Sequence, residues 1–335
     1  MHTPKLLLLF AGGTIGMVHN SQTGALEPAA SALELLQHIP ELHEIADIDF
    51  ELIDNVDSSN MTPDHWQRLA QRIADTYHQY EGFVIAQGTD TMAYTASALS
   101  FALGNLGKPV VLTGSLIPLS KVGSDARNNL VYACMTASLD IAEVCIVLSN
   151  TILRGNRAKK HHESFVAAFH SPNFPPLGEL GRPIMLNEWC KKRHTNTLEL
   201  RATFDHRIMV VRLFPGLDPQ NIMQLLDMGN IRALIIEGFG PGNVPFLNHS
   251  MIPVIEQATS KNIPVIIANQ MEHGKTNLEA YGAGLRAAQA GAIGAEDMTV
   301  EAIITKTMWA LAVTADIGVS IQKILQTNYA GEMHV

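Results

Sequence analysis

Residues that could do chemistry first occur where an apolar run meets two glycines. The run LLLLF (6–10) is followed, after one alanine, by Gly12, Gly13 and Thr14. Glycines at such a point let the backbone turn sharply and let a second group approach closely. A dinucleotide-binding loop would continue as a helix after its third glycine, but the residues that follow Gly16 are polar and typical of a turn. The pattern favours a threonine hydroxyl presented to a substrate over a phosphate-binding loop.

Four more polar clusters follow the later apolar runs of the first half. Functional groups in open α/β sheets gather at the carboxyl ends of the strands. The clusters are DSSN (57–60), QGTDT (87–91), TGS (113–115) and RGNRAKK (154–160). Each of them alone could be an ordinary turn or helix cap. Their coincidence at one expected sheet edge favours a functional site.

The residue types in these clusters are those of a nucleophilic hydroxyl and its partners. A threonine hydroxyl is a weak nucleophile unless a base takes its proton. Lysine can be that base where a crevice and nearby positive charge lower its pKa. Thr89, Asp90 and a lysine from 154–160 would form such a group, with the carboxylate orienting the lysine. The set suits acyl transfer from an amide to water, and we expect neither a metal nor an organic cofactor.

The elements that must position these residues alternate along the chain. Predicted strands of the first half are KLLLLF, FELIDN, GFVIAQ, PVVLTG and VCIVLS, and predicted helices cover residues 31–39, 63–80, 91–105 and 126–140. Uniformly apolar strands that alternate with helices indicate a parallel sheet covered on both faces. The fold class is therefore α/β, with a larger flavodoxin-like N-terminal domain.

The alternation lapses near residue 187 and resumes at residue 208. The polar residues 188–207 are interpreted as a linker between an N-terminal catalytic domain (1–187) and a smaller C-terminal α/β domain (208–335). In the second domain we predict the strands IMVVRLF, ALIIEGF and PVIIANQ, and helices over 219–229, 250–261 and 299–326.

Composition excludes several functional classes. The 335 residues are 47% hydrophobic and carry a net charge of −9, so no nucleic-acid partner is expected. No apolar stretch approaches the roughly 20 residues of a membrane helix, and LLLLF is interpreted as a buried strand rather than a signal segment. The three cysteines lack metal-binding spacing, and Cys134 and Cys145 lie in apolar runs. Reduced core thiols indicate a cytoplasmic protein.

The motifs taken together resemble one known family. AGGTIGM, DSSNMTP, GFVIAQGTDTMAYTASALSFAL, GKPVVLTGSLIPLSKVGSDARNNL, RGNRAKK with SPNFPPLG, GPGNVP and DMTVEA occur in order over nearly the whole chain. They resemble the bacterial type I (cytosolic) L-asparaginases, and the paired GGT and GTDT motifs are highly specific to that family. The resemblance implies hydrolysis of L-asparagine to L-aspartate and ammonia by an intimate homodimer, often paired into a homotetramer.

The resemblance also implies a role for each matching residue. Thr14 is the attacking nucleophile, and Thr89, Asp90 and Lys160 form a second triad in which Asp90 also pairs with the substrate ammonium. Lys160 is preferred to Lys159 because it keeps the family's distance from the preceding glycine. Substrate-binding residues are Ser58, Ser59 and Asn60 at the α-carboxylate, Ser115 through its backbone carbonyl at the leaving nitrogen, and Asn243 offered across the dimer interface.

The chain departs from the family on the loop after the first strand. The family usually carries a tyrosine there, close to the attacking threonine, where this chain has Ala25. No hydroxyl on the loop has a phenol's reach or acidity, so either another group does the tyrosine's work or Thr14 is poorly activated. We expect the second, and therefore a weak enzyme limited by its chemical step. Ala11 also replaces a usual threonine, with an effect confined to packing. In SDARNN, Arg127 and Asn128 are predicted to order the loop after the fourth strand.

Three alternatives stay open at this point. A broader glutaminase-asparaginase differs in pocket volume, because glutamine is one methylene longer. A tRNA-dependent amidotransferase subunit of this fold is less expected, since it carries an extra N-terminal domain and the GGT turn here begins at residue 12. A non-catalytic protein that senses asparagine or aspartate would release no ammonia.

Overall fold

Two compact units make up the chain, residues 1–202 and residues 203–335. The computed structural model describes residues 3–19, 26–28 and 39–334. Most of the predicted helix over 31–39 lies outside the described residues, as does Ala25.

The first unit contains fourteen described strands and four described α-helices. The strands are β1 (Lys5–Gly12), β2 (Met17–His19), β3 (Leu26–Pro28), β4 (Asp47–Val56), β5 (Gly82–Ala86), β6 (Leu103–Gly104), β7 (Val110–Thr113), β8 (Val144–Leu148), β9 (Thr151–Arg154), β10 (Lys159–Lys160), β11 (Phe169–His170), β12 (Gly178–Glu179), β13 (Met185–Leu186) and β14 (Glu199–Leu200). The helices are α1 (Pro40–Ile45), α2 (Pro63–Thr76), α3 (Met92–Ala102) and α4 (Ala126–Ala137). All five strands predicted for this half are present, within a few residues of their predicted ends.

The main sheet has eight strands in the order β13-β12-β9-β8-β7-β5-β1-β4. The run from β8 to β4 is parallel throughout. Numbered by chain order, these five parallel strands stand 5-4-3-1-2, the flavodoxin-like doubly wound order. The predicted fold class is confirmed. The strand order reverses between β1 and β5, so a crevice is expected where these two strands end.

One edge of the sheet is antiparallel, which the sequence pattern did not indicate. Strands β8 and β9 pair antiparallel, as do β9 with β12 and β12 with β13. Only Ser149 and Asn150 separate β8 from β9. Two residues suffice for a hairpin, whereas a parallel pair needs a crossover of a dozen or more.

The helices of the first unit begin where local signals indicate. At the start of α2, Thr62 and His65 form a capping box, with Thr62 N donating to His65 Nδ1 at 3.1 Å. Pro63 occupies the first turn, where a missing N–H costs nothing.

Burial of the cysteines also agrees with the sequence: Cys134, Cys145 and Cys190 are buried free thiols. Burial raises the pKa of Cys134 to about 12.

Residues 188–202, placed in the predicted linker, belong to the first unit. Arg193 holds this segment: its guanidinium donates to the backbone carbonyls of Glu81, Leu139 and Ala137 at 2.5, 2.7 and 3.0 Å. Its backbone N–H also donates to Asp140. The segment is ordered by polar contacts to distant residues, which its composition does not reveal.

The second unit is built around a four-stranded parallel sheet in the order β15-β16-β17-β18. Its elements are β15 (Ile208–Arg212), α5 (Pro219–Asp227), β16 (Ala233–Gly238), α6 (Ile252–Ser260), β17 (Val265–Asn269), α7 (Gly282–Gln289), β18 (Ile293–Gly294), α8 (Val300–Ile317) and α9 (Ile321–Leu325). The helix predicted over 299–326 is two helices, because Gly318 adopts a left-handed backbone with φ 72° and ends α8. Among the described residues, no helix combines the length and the apolar character needed to cross a bilayer.

Candidate active site

Two glycines join the loops that carry the predicted threonines. Strands β1 and β5 are neighbours and end at the same edge of the sheet, with Phe10 opposite Ala86. Gly13 has φ 91°, and a methyl group added to it would lie 2.1 Å from the backbone nitrogen of Gly88. The two backbones are in direct contact, which a side chain at Gly13 would prevent. Thr14 and Thr89 each directly follow one of these two glycines.

Thr89, Asp90 and Lys160 form one hydrogen-bonded group. Lys160 Nζ lies 2.9 Å from Thr89 Oγ1 and 2.5 Å from Asp90 Oδ1. Thr89 is buried, with 6% of its surface exposed, whereas the Asp90 side chain is 64% exposed. The lysine side chain, 18% exposed, bridges the buried hydroxyl and the accessible carboxylate.

The lysine reaches this group by a route that the sequence did not predict. Because β9 runs antiparallel and pairs Arg154 with Cys145, it ends at the edge of the sheet where β8 begins. The expectation that RGNRAKK follows the carboxyl end of a parallel strand is wrong. The chain instead returns beside α3, where a methyl group on Gly155 would lie 2.9 Å from the Ala96 side chain. Lys160 lies in β10, at the end of this return segment.

Ser58, Ser59 and Asn60 form one 3₁₀-helical turn after β4. Asp57 caps the turn and accepts hydrogen bonds from the backbone N–H of Ser59, at 2.8 Å, and from its hydroxyl. These bonds lower the pKa of Asp57. Residues 88–91 form the GTDT loop. Ser58 is buried against this loop, since a methyl group on Gly88 would lie 2.7 Å from Ser58 Oγ. Ser59 and Asn60 are exposed.

Ser115 lies at the start of the loop after β7. Only 1% of its surface is exposed, and the preceding Gly114 packs on the carbonyl oxygen of Gln87, 2.3 Å from where a methyl group would lie. Gly114 also accepts a hydrogen bond from Asn129 Nδ2 at 2.9 Å. Ser115 is thereby held beside the GTDT loop through its neighbour.

The side chains that order this loop are Asp125 and Asn129, not the predicted Arg127 and Asn128. The Asp125 carboxylate accepts hydrogen bonds from the backbone N–H groups of residues 116 and 117, at 3.1 and 3.0 Å. Asn129 donates to that carboxylate at 2.9 Å. Arg127 points elsewhere and pairs with Glu41 on the surface. Asp125 precedes α4 but makes no side-chain capping bond to it, so its place in front of a helix did not reveal these contacts.

Asn243 lies in the second unit. It ends a tight turn after β16, in which Asn243 N donates to Phe239 O at 2.7 Å and Phe239 N donates to Asn243 O at 2.9 Å. The residue is partly exposed.

Thr14 is also partly exposed and begins a 3₁₀-helical turn over Thr14–Gly16.

Three residues at the site were not singled out from the sequence. Asp57 caps the serine turn, Thr91 donates a hydrogen bond to the carbonyl oxygen of Ser58, and Gln87 is a buried amide next to the GTDT loop. None of the three has a local pattern that separates it from an ordinary turn residue. Their partners are 2 to 33 residues away in sequence, and the longer of these contacts depend on the fold.

Comparison with known proteins gives a family for both units. The sequence model of the asparaginase N-terminal domain matches residues 5–191. The model of the glutaminase/asparaginase C-terminal domain matches residues 207–325. The two matches together cover most of the chain.

Individual relatives agree with these matches. The chain is 39% identical to L-asparaginase 1 of Escherichia coli K12, over 99% of both proteins. It is 35% identical to a subunit of the glutamyl-tRNA(Gln) amidotransferase of Pyrococcus horikoshii, over 99% of this chain and 77% of that protein. Among solved structures, L-asparaginase I from Vibrio cholerae superposes with a TM-score of 0.89 at 35% identity, over 100% of both chains. The chain is therefore an enzyme of the asparaginase family.

Proposed function

We propose that the protein hydrolyses the side-chain amide of L-asparagine to L-aspartate and ammonia. The observation that carries this proposal is the position of the Lys160 ammonium, between the Thr89 hydroxyl and the Asp90 carboxylate. The contact between Gly13 and Gly88, the residues that precede Thr14 and Thr89, supports a site that includes Thr14. Family membership, and the relatives named L-asparaginase, support this substrate.

In the proposed reaction Thr14 is the nucleophile. Its oxygen forms a bond to the side-chain carbonyl carbon of asparagine, its proton passes to the amide nitrogen, and the carbon–nitrogen bond breaks to release ammonia. A water molecule then adds its hydroxyl to the acyl carbon of the resulting ester, the bond from that carbon to Thr14 Oγ1 breaks, and the remaining proton of the water passes to Thr14 Oγ1. An acyl-enzyme splits one difficult step into two easier ones.

Lys160 and Thr89 are proposed to handle the proton in this sequence. A lysine that donates to a buried hydroxyl can shift protons along that bond, and Asp90 fixes its ammonium in place. Since the Asp90 side chain is 64% exposed, its carboxylate can also accept from the substrate ammonium.

The remaining predicted residues are proposed to bind the substrate. The Ser58–Asn60 turn offers hydroxyl, amide and backbone groups to the α-carboxylate. The backbone carbonyl of Ser115 would accept from the leaving nitrogen. Asn243 would be supplied by a second copy of the chain, which requires the proposed dimer or tetramer. The buried free thiols are consistent with the proposed cytoplasmic location.

The experiment that tests the proposal is ammonia release over a range of L-asparagine concentrations, repeated with L-glutamine. We expect turnover of asparagine. Exclusion of one extra methylene is worth only about 1–3 kcal/mol, so glutamine turnover is expected to be slower rather than absent. A protein that binds aspartate but releases no ammonia from either amide would be a sensor, and the hydrolytic proposal would be rejected.

The nucleophile is tested with Thr14→Ala and Thr89→Val. Each substitution is expected to remove most turnover while leaving the fold intact, because losing a nucleophile or its activated partner costs several kcal/mol of transition-state stabilisation. In the parent enzyme, acid quenching during turnover followed by mass analysis should detect an aspartyl adduct on the peptide that contains Thr14. Near-normal turnover by either variant would contradict the two-threonine mechanism.

A further inference from the structure

Thr91 connects the two parts of the proposed site. It is the last residue of the GTDT motif, and its hydroxyl donates to the backbone carbonyl oxygen of Ser58 at 2.8 Å. The bond joins residues 33 positions apart in sequence. Thr91 lies in the loop that contains Thr89 and Asp90, and Ser58 lies in the Ser58–Asn60 turn.

The turn is also held by hydrogen bonds within itself and by packing against the GTDT loop. Asp57 holds the turn internally, through Ser59. Towards the loop, Ser58 packs its hydroxyl and Cβ against Gly88. Packing against a glycine resists compression but does not fix the turn laterally, whereas a hydrogen bond of normal length and direction does. The Thr91 hydroxyl therefore sets where the turn lies relative to Thr89.

The Gln87 side chain lies next to that hydroxyl. Its side chain is 1% exposed, and its Nε2 lies 3.4 Å from Thr91 Oγ1. A hydroxyl has one proton and two acceptor sites. When the Gln87 amide donates to Thr91 Oγ1, the Thr91 proton is left for the Ser58 carbonyl. Gln87 and Thr91 flank Thr89 and Asp90 in sequence, so the same loop carries both the catalytic group and the contact that positions the turn.

A second set of contacts keeps Thr91 itself in place. Thr95, one turn further along α3, accepts a hydrogen bond from Trp66 Nε1 of α2 at 3.1 Å. The Thr95 backbone N–H donates to the carbonyl oxygen of Thr91 at 3.1 Å. Since α2 begins shortly after the serine turn, both ends of the Thr91–Ser58 bond are carried by packed helices.

We propose that Thr91, oriented by Gln87, is a positioning residue that controls how tightly the Ser58–Asn60 turn holds the charged end of the substrate. The proposal rests on the proposed function, because it assigns that turn to the α-carboxylate. Neither residue touches the reacting atoms. The expected signature is therefore a change in binding rather than in the chemical step.

The test compares Thr91→Val with Thr91→Ser. Valine keeps the shape of threonine but lacks the hydroxyl, and serine keeps the hydroxyl. We expect Thr91→Val to raise the KM for asparagine and the Kd for aspartate together, by about fivefold to tenfold, with kcat within about threefold. Thr91→Ser is expected to stay close to the parent enzyme in both.

Thr136→Val is the matched control. Thr136 is a fully buried helical threonine of the same unit, and its hydroxyl donates to the Tyr132 carbonyl within α4 at 2.8 Å. The substitution removes the same atoms from a helix without touching the serine turn. It is expected to leave KM and the aspartate Kd unchanged.

Gln87→Met tests whether Gln87 orients the Thr91 hydroxyl. Because Gln87 acts through Thr91, the variant is expected to weaken aspartate binding by about twofold to fivefold. The double variant Gln87→Met/Thr91→Val should bind no more weakly than Thr91→Val alone, since coupled residues are not additive. If the two substitutions weakened aspartate binding additively, Gln87 would act independently of Thr91, and its orienting role would be overturned.

The outcomes separate this proposal from the proposed function. An unchanged aspartate Kd in Thr91→Val, or a loss confined to kcat, would overturn the positioning role. A parent protein that binds aspartate without releasing ammonia would reject the hydrolytic proposal, while the Kd series would still decide the role of Thr91.

Discussion

The backbones of Gly13 and Gly88 touch at the carboxyl edge of the main sheet. A methyl group on Gly13 would lie 2.1 Å from the nitrogen of Gly88, closer than any real Cβ approaches a nitrogen. The contact lies between the two strands where the strand order reverses. It explains the glycine at position 13, and it brings the loops of Thr14 and Thr89 together. Gly12 has a separate reason, because a methyl group there would lie 2.2 Å from the carbonyl oxygen of Val56.

This contact predicts that Gly13→Ala is severely damaging. The variant must separate two backbones and hold alanine at φ 91°, at a combined cost of more than about 2 kcal/mol. We expect a lower urea midpoint and a fall in kcat/KM. Gly123→Ala is the control, because Gly123 has φ 81° but open space around it. It should cost about 1 kcal/mol and leave turnover intact. Equal effects of the two variants would show that backbone strain, not the contact, dominates.

Lys160→Met should slow turnover far more than it weakens aspartate binding. The lysine donates to Thr89 and Asp90, and loss of a general acid or base typically lowers kcat by about 10²–10⁴-fold. Steady-state kinetics and aspartate titration measure the two effects separately. Lys159→Met is the control, because the adjacent lysine is not the one that contacts Thr89. A Lys160 variant whose only defect is a raised KM would refute the assigned role.

Glu332→Gln is expected to destabilise the second unit. Lys306 Nζ and Glu332 Oε1 are 2.7 Å apart and both side chains are fully buried. Lys306 also donates to the carbonyl oxygens of Leu325 and Thr327. Removing the countercharge leaves an uncompensated buried ammonium, at a cost of about 3–5 kcal/mol.

The control for Glu332→Gln is the double variant Lys306→Met/Glu332→Gln, which removes both charges. It should recover much of the loss, because replacing a whole buried pair is often nearly neutral. Urea unfolding compares the parent protein, Glu332→Gln and the double variant. A double variant no more stable than Glu332→Gln would show that packing, not charge, is responsible.

Acid stability should depend on Asp205. Arg207 donates to both carboxylate oxygens and lowers the pKa of Asp205 to about 2. The pKa of this group is depressed in the folded state, so its stabilisation is present above its unfolded pKa of about 4 and is lost as pH falls towards 2. Asp205 also anchors its segment to α8, through a backbone bond to Met308.

Arg207→Leu should therefore destabilise the protein at pH 7 and matter progressively less on acidification. The loss is expected to be small, since the Arg207 side chain is 51% exposed and solvent screens the pair. Thermal melts from pH 7 to pH 2 measure it. A destabilisation that is constant across this range would rule out the ionic origin.

Ala25→Tyr tests whether the alanine that replaces the family's usual tyrosine, on the loop after the first strand, slows the reaction. If Thr14 is poorly activated, a tyrosine at residue 25 should raise kcat, and Ala25→Phe should not, because it lacks the hydroxyl. Pre-steady-state measurement of ammonia release shows whether chemistry limits turnover. A parent enzyme as fast as efficient family members, slowed by Ala25→Tyr, would contradict the hypothesis.

Local patterns were sufficient for most of the architecture. The apolar strands β1, β5, β7 and β8 are each buried along their length, so their hydrophobic runs are continuous and easy to recognise. Alternation with helices indicated the parallel sheet, and the motifs indicated the family and a set of candidate site residues. The helix break at Gly318 was missed because hydrophobic periodicity continues across it.

Tertiary structure decided what depends on contacts between distant residues. The antiparallel edge and the return path of Lys160 follow from a two-residue turn, whose effect on the direction of the next strand is invisible to hydrophobic pattern. The Gly13–Gly88 contact and the Thr91–Ser58 bond join residues 75 and 33 positions apart. A sequence can present glycines, hydroxyls and a lysine at the right strand ends. Which of them touch is determined only when the strands have paired and the loops have packed, because hydrogen bonds and close backbone contacts depend on distances of a few tenths of an ångström.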